Sequence, residues 1–284
     1  MPTDNALPGV NYGSYKRSEK VKKDAAEIVL LLGMTRLRHW PRLVAFLAAR
    51  ALKNAGLVSK DPVFTLHFKR VSAHATTAYP CGLRFLTESV SDDIYNSFST
   101  NPPVKVLFDV GANAGFISLM RCLENPVLRA VCFEPHPQTF EVLKKNIQIN
   151  RLEDRVTAVH AAVGDRSGTM QFYQAEGDSM AAASTMCLMK GVPVKEYTVA
   201  VVSLDDYCRS HNVWPDAVKI DVEGFEEHVL RGAREVVERA RHLVLEWHTQ
   251  DLHDKCRSML ESSSARVSEH IPFRLLFSTR AEPT

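Results

Sequence analysis

From Val104 onward the apolar positions fall into short β-branched runs separated by stretches of helical periodicity. Val104 to Val110 is such a run, and Phe116, Ile117, Leu119 and Met120 open a helix after it. Ala130 to Phe133 is a second apolar run. Pro137 to Asn150 then carries Phe140, Leu143 and Ile147 on one helical face. Val156 to Ala162 reads as a third strand, and Gly164 to Gly168 as a turn into a short strand, Met170 to Tyr173. Thr198 to Leu204, Ala217 to Val222 and Leu243 to His248 follow as strands, with a helix from Phe225 to Arg239 and a last strand from Ile271 to Ser278. Alternating strands and helices predict an α/β fold with a mostly parallel sheet, right-handed crossovers and helices on both faces.

The first hundred residues follow a different pattern. A Pro- and Gly-punctuated tail gives way to helical spacing from Glu19 to Leu32, and a second helix is expected from Pro41 to Asn54, with Gly56 past its end. Val63 to Val71 alternates as a strand, paired with Leu83 to Leu86 across a Tyr79–Gly82 turn, and Ser91-Asp92-Asp93 reads as a helix cap. Asn101-Pro102-Pro103 closes this part. The expected organisation is therefore a helical extension with a β-hairpin over 1–102 and a main domain over 103–284. The extension would serve as a lid, a substrate contact or a homodimer contact, or would simply pack on the main domain.

Charge sharpens this division. The chain is nearly neutral at +2, but residues 1–60 hold eleven Lys and Arg against four Asp and Glu, so the remainder is net acidic. An acidic main domain without interleaved aromatic and basic residues argues against nucleic acid as a partner. The six cysteines form no C-x-x-C pair and no zinc-finger spacing, so no metal is expected, and a reducing, cytoplasmic setting is the default. The N-terminus does not read as a signal peptide, and apolar runs such as Ile28 to Leu32 are far too short for a membrane span.

The chemistry concentrates at strand ends. Phe-Asp-Val-Gly-Ala-Asn-Ala-Gly, residues 108–115, turns a buried strand sharply into a helix, with Gly111 and Gly115 free to adopt conformations closed to other residues. The dinucleotide pattern G-x-G-x-x-G would need glycine where Asn113 and Phe116 stand. Asp109 at the strand end would repel a pyrophosphate but suits the ammonium of an amino acid, which favours S-adenosylmethionine. Glu134, 23 positions after Gly111, sits where a carboxylate accepts hydrogen bonds from both ribose hydroxyls. Asp221 and Glu223 end one strand, and Glu246 and His248 the next, so all four come to the same rim of a parallel sheet. His248 titrates near neutrality in the absence of perturbation and would take a proton from a hydroxyl, with Glu246 to orient it. Lys219 competes as a structural partner for Asp221.

Taken in order, these segments resemble the FkbM family of S-adenosylmethionine-dependent methyltransferases. The resemblance rests on residues 108–115, on Phe133-Glu134-Pro135-His136-Pro137 with Leu143 and residues 146–150, and on Ala161 to Asp165. It continues through Ser203-Leu204-Asp205, residues 219–226 and Val244 to His248. It implies a class I methyltransferase, Rossmann-like fold, with a seven-stranded sheet that has one antiparallel edge strand, and O-methylation of small molecules such as secondary metabolites or sugars. Asp109, Gly111, Ala112, Asn113, Gly115 and Phe116 would hold the methionine and central part of the cofactor. Glu134 and Pro135 would hold its ribose, and Ala161, Ala162 and Val163 its adenine. Asp221, Glu223, Glu246 and His248 would face the transferred methyl group, with S-adenosylhomocysteine as product. The alternatives are methyl esterification of a carboxylate, a nicotinamide-type oxidoreductase and a non-catalytic nucleotide-binding protein.

Overall fold

The computed structural model describes residues 102–175, 194–263, 265–270 and 275–279, with 63–68, 71–76, 96–98, 100, 183–184 and the single positions Val44, Ala48, Leu52 and Leu57. The helices expected over 19–32 and 41–54, apart from those single positions, lie outside the described residues.

Two strands, β1 (Val63–Phe68) and β2 (Val71–Thr76), form an antiparallel pair in which Phe68 faces Val71. Within the described residues the hairpin partner is Val71–Thr76; Leu83 to Leu86, the expected partner, lies outside the described residues. The alternation runs on through Val71, Ala73 and Ala75, so the chain reversal is hidden inside a continuous period of two. Ala73 is buried in the main core, and Asn150 clasps the His74 backbone, accepting from its N–H at 2.7 Å and donating to its carbonyl at 2.7 Å.

The central chain then runs β3 (Val106–Val110), α1 (Phe116–Glu124), β4 (Arg129–Phe133), α2 (Pro137–Ile149) and β5 (Val156–Val159). It continues with β6 (Ala162–Val163), β7 (Gly168–Ala175), β8 (Ala183–Ser184), β9 (Val194–Val202) and α3 (Leu204–His211). After these come β10 (Ala217–Ile220), α4 (Glu226–Arg231), α5 (Arg234–Arg239), β11 (His242–Glu246), α6 (Gln250–Ser262), β12 (Arg266–His270) and β13 (Leu275–Thr279). The main sheet has seven strands in the order β12-β13-β11-β10-β3-β4-β5, and only β13 runs against its neighbours. The antiparallel strand is therefore one place in from the edge, with β12 outside it. β6 to β9 form a separate four-stranded sheet in the order β6-β9-β7-β8.

Alternation along β3 sends Leu107 to one face and Phe108 and Val110 to the other, and each face has its own core. Leu107 joins Met120, Cys122, Leu143 and Ile147 of α1 and α2. On the other side Phe108, Phe133 and Tyr207 meet edge to face, with ring centroids 5.0–5.9 Å apart. Full burial of each such side chain contributes roughly 1.5–3 kcal/mol. The helix expected as one piece from Phe225 to Arg239 is two, because the chain breaks at Gly232, where a Cβ would lie 2.0 Å from the Gly164 carbonyl oxygen.

The strand order reverses between β3 and β10. The chain leaves β3 toward β4 on one side and returns to β10 on the other, so the loops after β3 and β10 part to opposite faces and leave a crevice between them.

Candidate active site

That crevice opens into a cleft, open to solvent, that encloses about 630 Å³ of space not filled by atoms. Gly111, Asn113, Glu134, Asp221 and Glu223 line it, with Ala161, Ala162, Val163 and Phe172 along one wall.

The loop after β3 is held by backbone contacts. Gly111 and Ala112 both donate to the Phe133 carbonyl at 3.0 Å. Gly111, Asn113 and Gly115 all have positive φ. At Gly111 the reason is close packing: a Cβ would lie 1.8 Å from the Asp221 carbonyl oxygen. At Gly115 it would lie 2.5 Å from Leu143. These glycines thus make room for the protein's own strand and helix.

Asp109 lies under this loop. It is 1% exposed, accepts from Ser118 Oγ at 2.8 Å and sits 3.3 Å from Lys219 Nζ. Lys219 also donates to the Gly111 carbonyl at 2.8 Å and approaches Asp221 to 3.5 Å. Burial would push this ammonium down, but Asp109 and Asp221, with Glu246 further off, hold it well above the usual lysine range. Asp109 therefore supports the loop through Lys219 and does not line the cleft, contrary to its expected place beside the cofactor's ammonium. Ala112, Gly115 and Phe116 likewise shape the turn from behind.

Glu134, at the end of β4, accepts from the Asn113 N–H through Oε2 and from the His136 N–H through Oε1, both at 2.9 Å. Each oxygen keeps a lone pair for a hydroxyl donor. Burial pushes this carboxyl up to about 7, despite the two backbone donors. Beside it His136 caps α2: its Nδ1 accepts from the Thr139 N–H at 3.2 Å, which leaves Nε2–H to donate to Gln174 of β7 at 3.0 Å. Tyr197 donates to the same Gln174 oxygen at 3.1 Å. The accessory sheet is fastened to the cleft wall in this way.

On the opposite side Asp221, Glu223, Glu246 and His248 come together, and of these Asp221 and Glu223 line the cleft. His248 Nε2 lies 3.2 Å from Glu223 and 4.0 Å from Asp221. Its Nδ1 meets a residue the sequence reading passed over: Glu226, 0% exposed, accepts there at 2.8 Å. Burial alone would push the imidazole down, but the Glu226 hydrogen bond and the charges of Glu223, Glu226 and Asp221 hold it up at about 9. The ring is therefore protonated at neutral pH, where the sequence alone suggested titration near neutrality. Glu246 is pushed up to about 7, by burial first and then by Asp221. Glu226, not Glu246, orients the ring. The ligand atoms of Asp221, Glu223 and His248 lie within 4.8 Å of one another, a spacing that the pairing of the charged imidazole with the two carboxylates accounts for.

A seven-stranded sheet of this order, with a tight loop after its central strand and a buried carboxylate at the end of the next, has the fold of a class I methyltransferase. Residues 109–267 match the methyltransferase FkbM domain, and the chain belongs to that family. Its relatives include the 2-O-methyltransferase NoeI of Sinorhizobium fredii, 26% identical over 165 residues that cover 54% of this chain and 67% of the relative. The hexuronic acid methyltransferase AglP of Haloferax volcanii is 31% identical over 144 residues, covering 50% and 56%. The 31-O-demethyl-FK506 methyltransferase FkbM of Streptomyces tacrolimicus is 30% identical over 177 residues, covering 52% and 67%. The chain thus spans between 56% and 67% of the length of these relatives. Family membership sets aside the oxidoreductase and non-catalytic alternatives.

Proposed function

We propose that this chain binds S-adenosylmethionine in the cleft and methylates an oxygen of a small molecule, a hydroxyl of a natural product or sugar. The observation that carries this reading is the meeting, across one cleft, of Gly111, Asn113 and Glu134 with Asp221 and Glu223, the two carboxylates that His248 approaches. Two of the relatives are named for O-methylation, which supports oxygen as the acceptor atom.

The residues present fit the cofactor. Glu134 keeps lone pairs facing the cleft for the ribose hydroxyls, the small side chains of Ala161, Ala162 and Val163 leave a flat apolar wall for the adenine, and Asp221 offers negative charge to a cation. When bound, the cofactor supplies an electrophilic methyl group and becomes a neutral thioether. The protein's share is to align the acceptor, exclude water and receive the acceptor's proton. We assign the last task to His248, whose Nε2 approaches Glu223 and Asp221 of the cleft lining. Lys219, the lysine beside Asp221, is engaged by Asp109, Asp221 and the Gly111 carbonyl, so it is not available to grip an anionic acceptor. This favours a hydroxyl over a carboxylate; the name of the Haloferax relative keeps acidic sugars among the acceptors to test. The reading assigns acceptor choice to residues 1–102, as lid, substrate or homodimer contact, and to 175–197.

The test is transfer of a labelled methyl group from S-adenosylmethionine to a panel of alcohols, sugars and sugar acids, with mild alkali applied to any product. Label that survives alkali means an ether and bears out the hydroxyl reading. Label released as methanol means an ester and replaces it.

A further inference from the structure

Glu226 opens α4 with its carboxylate fully buried. Its Oε1 accepts from the Gly224 N–H at 3.0 Å and from His248 Nδ1 at 2.8 Å, while Oε2 has no hydrogen-bond partner in its buried position. A buried carboxylate with half its acceptor capacity unmatched is expensive unless a cation stands beside it. His248 is that neighbour. The ring is consequently held by one nitrogen from inside the protein, and its other nitrogen is turned to Glu223 and Asp221 at the cleft.

We propose that Glu226 is a positioning residue for methyl transfer: it fixes the neutral tautomer of His248 with the proton on Nδ1, so that Nε2 presents its lone pair to the acceptor. The inference rests on the O-methyltransferase reading and deepens it. As the acceptor oxygen bonds to the methyl carbon and the C–S electron pair stays on sulfur, the hydroxyl proton passes to Nε2. Glu226 then faces the resulting imidazolium across an existing hydrogen bond and needs no rearrangement. The groups bearing on this ring are Glu226 of α4, Glu223 and Asp221 of the turn after β10, and Glu246 at the end of β11, two residues before His248, with Lys219 on β10 beside Asp221.

The experiment is long-range nitrogen NMR of the full chain labelled with ¹⁵N-histidine, in which His248→Asn assigns the signal. The wild-type neutral ring is expected to carry its proton on Nδ1; a proton on Nε2 overturns the proposal. Glu226→Gln keeps an acceptor for the Gly224 N–H but removes the charge, and the His248 titration is expected to move to lower pH by at least about one unit. Glu226→Asp is expected to restore most of that shift. An unmoved titration in Glu226→Gln overturns the positioning role even if transfer falls. Should Glu226→Gln fail to fold, the wild-type tautomer still decides. Labelled-methyl transfer by His248→Asn is judged separately: a loss of roughly 100-fold supports the proton-acceptor reading, and wild-type transfer overturns that reading while leaving the tautomer result to stand on its own.

Discussion

Lys219 donates to the carbonyl of Gly111 at 2.8 Å, so the strand after the crossover is bolted to the loop that forms the cleft floor. The same ammonium lies between Asp109 and Asp221. Lys219→Met should therefore strand a buried carboxylate and free the loop together. The expected loss is about 3–5 kcal/mol in urea unfolding, with weakened binding of S-adenosylhomocysteine by calorimetry. A variant of wild-type stability would show that Asp109 does not depend on this lysine.

Gly111→Ala sets a methyl group against the Asp221 carbonyl at a backbone conformation unfavourable to alanine. We expect destabilisation of about 2–4 kcal/mol and cofactor affinity reduced at least tenfold, measured by thermal unfolding and titration. Gly168→Ala, where a Cβ meets nothing within 4 Å, is the matched control and should change little.

The proposed ribose contact at Glu134 makes cofactor binding depend on pH. Its carboxyl is raised to about 7 in the folded chain, above the ordinary value of 4.5. The stability it contributes is therefore complete below about 4.5 and is lost as pH rises through about 7. Ribose hydroxyls donate to the ionised form, so S-adenosylhomocysteine should bind more tightly as pH rises across neutrality and should release a proton as it binds. Calorimetry in two buffers of different ionisation enthalpy measures that proton, and Glu134→Gln should abolish both effects.

His248 sets the other limb. With the imidazole held up at about 9, the base form is scarce at neutral pH, and kcat/KM should climb with pH until about 9. His248→Asn should flatten the rise and lower the plateau.

Much of this site could be read from the chain alone, because β3, β4, β10 and β11 are short apolar runs whose ends carry Asp109, Glu134, Asp221 and Glu246 where any parallel sheet brings them together. The misses have particular causes. Glu226 sits with Glu227 in the first turn of a helix, the usual place for exposed acidic residues, and burial that singles out one of the two depends on tertiary packing. Asp109 was assigned outward because its true partner, Lys219, lies 110 positions away across a strand pairing that no local pattern encodes. The α6 helix and β12 also went unread. Their apolar residues are sparse among charged ones, since α6 turns mainly His253, Cys256 and Leu260 inward and β12 is an edge.

His136 serves two masters with one ring: it caps α2 through a bare nitrogen and holds the accessory sheet through a protonated one. Only the uncharged tautomer can do both, and burial keeps the ring in that form by lowering its affinity for a second proton. Acid strong enough to charge it would turn the capping nitrogen into a donor facing another donor. The helix end would then lose its cap while Nε2–H stayed on Gln174, so this side of the cleft is pinned to the accessory sheet in either charge state of the ring.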